Sequence, residues 1–133
     1  MKLDFTEERD SNLIEVYKEI IQTYKGKAAF LSREEVMFKA SYAPAKRFYV
    51  SERQAIRIVR RMMMGKGIYI KGEQKIAMYK EIERRVQSER SDNERLTDTI
   101  RRVLFQPAPR FYIKQETARI ILYRKMKMKN GRG

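Results

Sequence analysis

Apolar residues along this chain fall into stripes at helical spacing, separated by short polar caps and prolines. Leu13, Tyr17, Ile20, Ile21 and Tyr24 follow i, i+4, i+7, i+8 and i+11, which predicts one face of a first helix that stops near Gly26. Ser32-Arg33-Glu34-Glu35 reads as a capping box, with Leu31 and Val36 at the staple positions. A second helix therefore begins at Arg33 and ends by Ala43, because the residue before Pro44 is pushed out of the helical region. Ser51-Glu52-Arg53-Gln54 is a second box, with Val50 and Ala55 as its staple, opening a third helix that runs to a C-terminal glycine, Gly65.

The plan then recurs. Pro44-Ala45-Lys46-Arg47-Phe48-Tyr49-Val50 returns 63 residues later as Pro107-Ala108-Pro109-Arg110-Phe111-Tyr112-Ile113, and Val16-Tyr17-Lys18-Glu19-Ile20 returns as Met78-Tyr79-Lys80-Glu81-Ile82 at an offset of 62. Two anchors at nearly equal offsets indicate one supersecondary unit used twice. In the second copy Ile76, Tyr79, Ile82 and Val86 mark a fourth helix. Ser91-Asp92-Asn93-Glu94 caps a fifth, buried through Leu96, Ile100, Val103 and Leu104, and a sixth covers about Gln115 to Met128. Its start is less well signalled, because Lys114 stands where Ser51 caps the third helix.

The expected fold is mainly α: two tandem three-helix units, residues 1–66 and 67–133, packed together in one compact body because each is marginal alone. The connector Gly65-Lys66-Gly67-Ile68-Tyr69-Ile70-Lys71-Gly72 is glycine-bounded and β-rich. It suggests either a short strand near 67–71 that pairs with Leu3 to Phe5 or a small β wing, and Lys127 to Gly133 reads as a frayed basic tail.

Charge narrows the function. The chain has 133 residues with 31 Lys and Arg against 17 Asp and Glu, a net +14. Such a balance favours a polyanionic partner, nucleic acid before an anionic membrane surface. There is no cysteine and no histidine, which removes disulfide and thiolate chemistry, nearly every structural zinc site and the usual general base. The carboxylates lie among helical surface charges rather than as a pair in an apolar stretch, as an acid/base dyad requires. Gly65-x-Gly67 lacks the context of a dinucleotide loop. We expect no enzyme activity, no metal and no cofactor. The N-terminus has no signal-like apolar segment and no 18-residue apolar stretch occurs, so a soluble cytoplasmic protein is expected.

The third helix separates into two faces: Ala55, Ile58, Val59, Met62 and Met63 inward, Arg53, Arg57, Arg60 and Arg61 outward. From Arg53 through Lys71 there are six cations and no acid. A solvated face usually mixes signs, and arginine without lysine suits phosphate forks and guanine edges, so this stripe, with Lys66, is the favoured nucleic-acid contact. In the sixth helix the same positions carry Glu116, Ile120, Tyr123 and Arg124, while cations gather at Arg119, Arg124, Lys125, Lys127 and Lys129; the two copies should not bind identically. Ile120 and Tyr123 could instead face the other unit or a second chain. Phe48 and Phe111 are read as packing residues at the entry to a helix. Arg47 and Arg110 are candidates for phosphate contact or for pairing with an acid, and Tyr49, Tyr112 and Tyr123 for base stacking. The run Met62-Met63-Met64 is read as core filler.

A second helix, a connection and a capped, arginine-striped third helix over residues 12–64, repeated over 75–128, resemble a helix-turn-helix. The resemblance implies that the third helix is a recognition helix entering the major groove N-terminal end first, with Arg53 and Arg57 nearest the base edges. The turn from Pro44 to Val50 departs from that pattern in its length and its proline. The Pro-Ala-x-Arg-Phe-Tyr element is similar to one in small basic proteins of phages and mobile elements. The leading expectation is a regulatory or architectural protein that binds duplex DNA. The alternatives are a helical interaction or assembly protein, such as a phage structural or scaffold component, that self-associates or meets an acidic protein partner, and an RNA-binding protein in which the tyrosines matter more.

Overall fold

The structure is a computed structural model that describes residues 5–24 and 31–130. Six helices and no strands occur among the described residues: α1 (Phe5–Thr23), α2 (Arg33–Ser41), α3 (Glu52–Met63), α4 (Glu73–Glu89), α5 (Leu96–Leu104) and α6 (Gln115–Asn130). The mainly α expectation is met. The segment expected as a wing, 67–71, forms no strand. Of its expected partner, Leu3 and Asp4 lie outside the described residues, and Phe5 opens α1.

The caps explain where the chain turns helical. Ser32 forms the full box, its hydroxyl accepting from the Glu35 amide at 3.0 Å while the Glu35 carboxylate accepts from the Ser32 amide at 2.8 Å. Ser51 accepts from the Gln54 amide at 3.0 Å, satisfying one orphan donor of α3. The C-terminus of α3 closes through Gly65 at φ +76°, a left-handed position that glycine takes without strain.

The expected cap of α5 is displaced. Arg95, not Ser91, occupies the N-cap position and makes no side-chain cap bond, while Ser91 to Glu94 form a turn closed by the Glu94 amide on the Ser91 carbonyl. The Glu94 carboxylate is drawn elsewhere, accepting from the buried Thr99 hydroxyl at 2.9 Å and from Arg102. Along α1, Leu13 and Tyr17 are buried but Ile21 is exposed. Eight residues beyond Leu13 the helix has rotated about 80° past full turns, far enough to carry Ile21 off the packed face.

The chain forms two compact units, with bounds other than those expected for three-helix units at 1–66 and 67–133. One is Met1–Ala45 with Pro109–Gly133; the other is Lys46–Ala108. In the first, α1, α2 and α6 pack on one another; in the second, α3, α4 and α5 do. The physical reason lies in the segments before α3 and α6. Pro44 and Pro107 end the preceding helices, and the chain runs on through the Arg-Phe-Tyr elements instead of turning back. Phe48 is then buried and its amide donates to the Leu104 carbonyl at the end of α5 at 3.0 Å; Phe111 is buried and its amide donates to the Ser41 carbonyl at the end of α2 at 3.2 Å.

The first unit buries Leu13, Tyr17, Val36, Met37, Ala40, Phe111, Ala118, Ile121 and Leu122; the second buries Phe48, Ala55, Ile58, Val59, Tyr79, Ile82, Val86, Ile100, Val103 and Leu104. The expected inward face of α3 holds for Ala55, Ile58 and Val59, while Met62 and Met63 are half-buried and Met64 is exposed. No helix among the described residues is long and apolar enough to cross a membrane.

Candidate nucleic-acid interface

The second unit carries 16 Lys and Arg against 8 Asp and Glu, a net +8, and its acids are not evenly spent. Arg84 and Arg85 both bond Glu81, Arg101 bonds Glu52 and Asp98, and Arg102 spans Glu89 and Glu94. These pairs hold the Glu81 carboxyl below its ordinary range, chiefly through the Arg84 hydrogen bond, and raise the Arg102 guanidinium through Glu94 and then Glu89. Glu52 is the single acid of α3 and is engaged by Arg101 of α5.

The outer face of α3 is left uncompensated, as are the exposed Lys71, Lys75, Lys80, Arg90 and Arg95 elsewhere in the unit. Arg53, Arg57 and Arg60 are exposed, and none has an ion-pair partner among the described residues. Arg57 lies near enough to the buried Tyr79 to act on it electrostatically; burial pushes that phenol up to about 12, against the opposing pull of the Arg57 charge. Arg61 is committed differently: it is half-buried and donates from Nε and a terminal nitrogen to the Gly67 carbonyl at 3.1 and 2.9 Å. It therefore ties the following connector back to α3. Lys66 is exposed at the bend, its amide bonded to the Arg61 carbonyl. Between the connector and α3 runs a groove of about 380 Å³ lined by Gln54, Arg57, Ile58, Arg61, Ile68, Tyr69 and Ile70.

The Arg-Phe-Tyr elements make a second kind of arrangement, one in each unit. The Arg47 guanidinium stands 4.2 Å from the Phe105 ring centroid and 5.6 Å from that of Tyr49, and its Nε donates to the Phe48 carbonyl at 3.3 Å. Arg110 stands 5.0 Å from the Tyr42 ring and 4.8 Å from Tyr112. Each arginine thus meets the aromatic of its own element and the C-cap residue of a nine-residue helix, Phe105 of α5 or Tyr42 of α2. Cation–π contact of this kind helps hold a guanidinium in place. Tyr49 is itself buried, which removes it as a stacking platform; Tyr112 is half-buried at φ +57°, a left-handed value uncommon for an aromatic residue.

On α6 the expected cations are less available. Arg119 bonds Glu116 at 2.7 Å, which raises its guanidinium. Arg124 is exposed and Lys125 half-buried, and the Lys127 side chain lies outside the described residues. Tyr123 is exposed, its hydroxyl accepting from Arg33 at 3.4 Å and its ring 5.6 Å from the same guanidinium, while Ile120 is exposed. Across the described residues no group of three or more Asp and Glu is placed to hold a metal ion.

Tyr42, Phe105 and Tyr69 were not singled out by sequence reasoning. Tyr42 and Phe105 could have been, since each stands two residues before the repeated proline, at Pro44 and Pro107. No protein-family model, curated protein or solved structure matches the chain.

Proposed function

We propose that the protein is a non-enzymatic DNA-binding protein, regulatory or architectural, that engages duplex DNA through Arg53, Arg57 and Arg60 of α3, with Lys66 beside them. One observation carries this reading: the arginines of α4 and α5 are consumed by local carboxylates, whereas those on the outer face of α3 are not. A rigid helix displaying unpaired guanidinium groups suits phosphate forks and guanine edges. Arg47 and Arg110, held by aromatic rings, are secondary phosphate contacts. In this reading α3 is presented on α4 and α5, against which it packs, rather than on α2.

We also propose that the chain arose by duplication and that its copies exchange third helices. The long helices α1 and α4, the nine-residue helices α2 and α5, and α6 and α3 are then equivalent, and each compact unit takes its third helix from the other copy. Equivalent bonds from Phe48 to Leu104 and from Phe111 to Ser41, both pairs related by 63 residues, support the correspondence.

Fluorescence anisotropy against a random duplex, titrated with salt, tests the function. Log K should fall against log salt by about 0.9 per phosphate neutralised, and the double variant Arg57→Ala with Arg60→Ala should weaken binding and flatten that slope. An unchanged slope would remove α3 from the interface. An assembly role is the second reading, favoured by the exposed apolar residues of the first unit, Phe38, Tyr42, Ile120 and Tyr123; it predicts self-association with no appreciable duplex affinity at physiological salt.

A further inference from the structure

Tyr69 is 94% exposed, far more than any other large hydrophobic residue among those described. Its neighbours Ile68 and Ile70 are half-buried and line the groove against Ile58 of α3. Between them Tyr69 stands at the rim of the groove, almost wholly in solvent. The bonds from Arg61 to the Gly67 carbonyl fix the connector at its start. The ring is thus displayed by a segment fastened at Gly67 and half-buried on either side of the tyrosine.

Its surroundings are cationic: Lys66 and Lys71 flank it in sequence and are exposed, Arg57 and Arg61 line the groove below, and no acid occurs from Arg53 to Lys71. An aromatic face beside guanidinium groups fits a ligand that joins a flat π-system to an anion. A nucleobase and its own phosphate have that chemistry, but a base inside an intact duplex has no free face to offer. We infer that the connector and α3 together form a subsite for an unpaired nucleobase, stacked on Tyr69, with the adjoining phosphate held by Arg57. The inference rests on the DNA-binding reading and deepens it: the protein discriminates DNA with a bulged, frayed or single-stranded position from a perfect duplex.

The test uses the full chain. The protein contains no tryptophan, so Tyr69→Trp introduces a sole reporter whose emission is quenched when a base stacks on it. The probes are a 12-nucleotide oligo(dT), a 20-base-pair duplex, and the same duplex with a one-base bulge. The inference expects quenching by the first and third and none by the intact duplex. Tyr69→Ala should weaken binding to those two probes about tenfold, within the range for loss of one stacked base, and leave intact-duplex affinity unchanged. Circular dichroism should be unaltered, since Tyr69 is almost wholly exposed. Equal effects on all three probes, or none on any, would overturn the subsite. If the intact duplex still binds in a manner lost with Arg57→Ala and Arg60→Ala, the subsite alone fails; if none of the probes binds the native protein, the DNA-binding reading fails with it.

Discussion

The Phe48 amide donates to the Leu104 carbonyl at 3.0 Å, fastening the segment that leads into α3 to the last residue of α5. Phe48 itself is 1% exposed, with the Arg85 guanidinium 5.0 Å from its ring. Arg85 in turn donates to the Pro107 carbonyl at 2.9 Å and to Gln106 at 3.1 Å, so ring, cation and the segment just past α5 form one locked corner. Phe48→Ala should destabilise the second unit by about 3–5 kcal/mol, the usual range for a buried phenylalanine. Urea unfolding followed by circular dichroism measures it, and a loss below about 1 kcal/mol would contradict the packing role.

The grouping of helices makes a sharper claim about fragments. Residues 46–108 contain all three helices of one unit in a contiguous stretch, whereas 67–133 contains α4 and α5 without α3. The fragment 46–108 should show a cooperative thermal transition, though a shallow one at its size. Fragments 1–66 and 67–133 should each lack one, and should gain helicity on mixing. Cooperative folding of 67–133 alone would show that α6 can take the place of α3.

Alkaline pH offers a test of the Tyr79 environment. The folded phenol is pushed up to about 12 by burial, while an unfolded tyrosine ionises near 10. Between those values the unfolded state loses the proton first, so the contribution is intact below about pH 10 and lost as pH rises through 12, amounting to at most about 3 kcal/mol. Stability measured by urea at pH 9 and pH 12 should fall less in Tyr79→Phe than in the native chain, since phenylalanine removes this titration and leaves the others. An identical fall in both would place the phenol in water.

The uneven caps predict opposite responses. Ser51→Ala removes the bond to the Gln54 amide and should cost about 1 kcal/mol. Arg95, at an extended φ/ψ suited to an N-cap but without a cap bond, should respond to Arg95→Ser with a gain of about 0.5–1 kcal/mol, because serine supplies the missing acceptor and removes a cation from the positive end of a helix. Melting curves of the two variants separate these directions.

The helices and most of their caps were legible because their causes are local: Ser32 and Ser51 sit beside the amides they cap, and Ala55, Ile58 and Val59 follow the helical period. The cap of α5 was misread at Ser91, since Glu94 is bound by Thr99 and Arg102 from later turns, which no local motif encodes. The packing partners of α3 and α6 were hidden for the same reason. A repeat says which segments are alike, and it says nothing of which like segment a helix will choose. The arginine stripe of α3 was readable from spacing, but the engagement of Glu52, the one acid of α3, by Arg101 of α5 was not. Tyr49 and Tyr112 hold matching places in the two Arg-Phe-Tyr elements, yet one is buried and the other adopts a left-handed backbone.

Because the first unit is interrupted by the whole of the second, the two cannot be completed in the order in which the chain is made. On a ribosome adding about 5–20 residues per second, α1 and α2 emerge early, yet the buried Ala118, Ile121 and Leu122 of α6 follow Ser41 only after 77 to 81 further residues, a wait of about 4 to 16 s. During that interval Leu13, Tyr17, Val36 and Met37 lack the helix that covers them, while 46–108 can already close. The inner segment is finished before the outer one, and the early helices spend the delay as a sticky nascent surface, the stage of this protein's life at which a chaperone has most to protect.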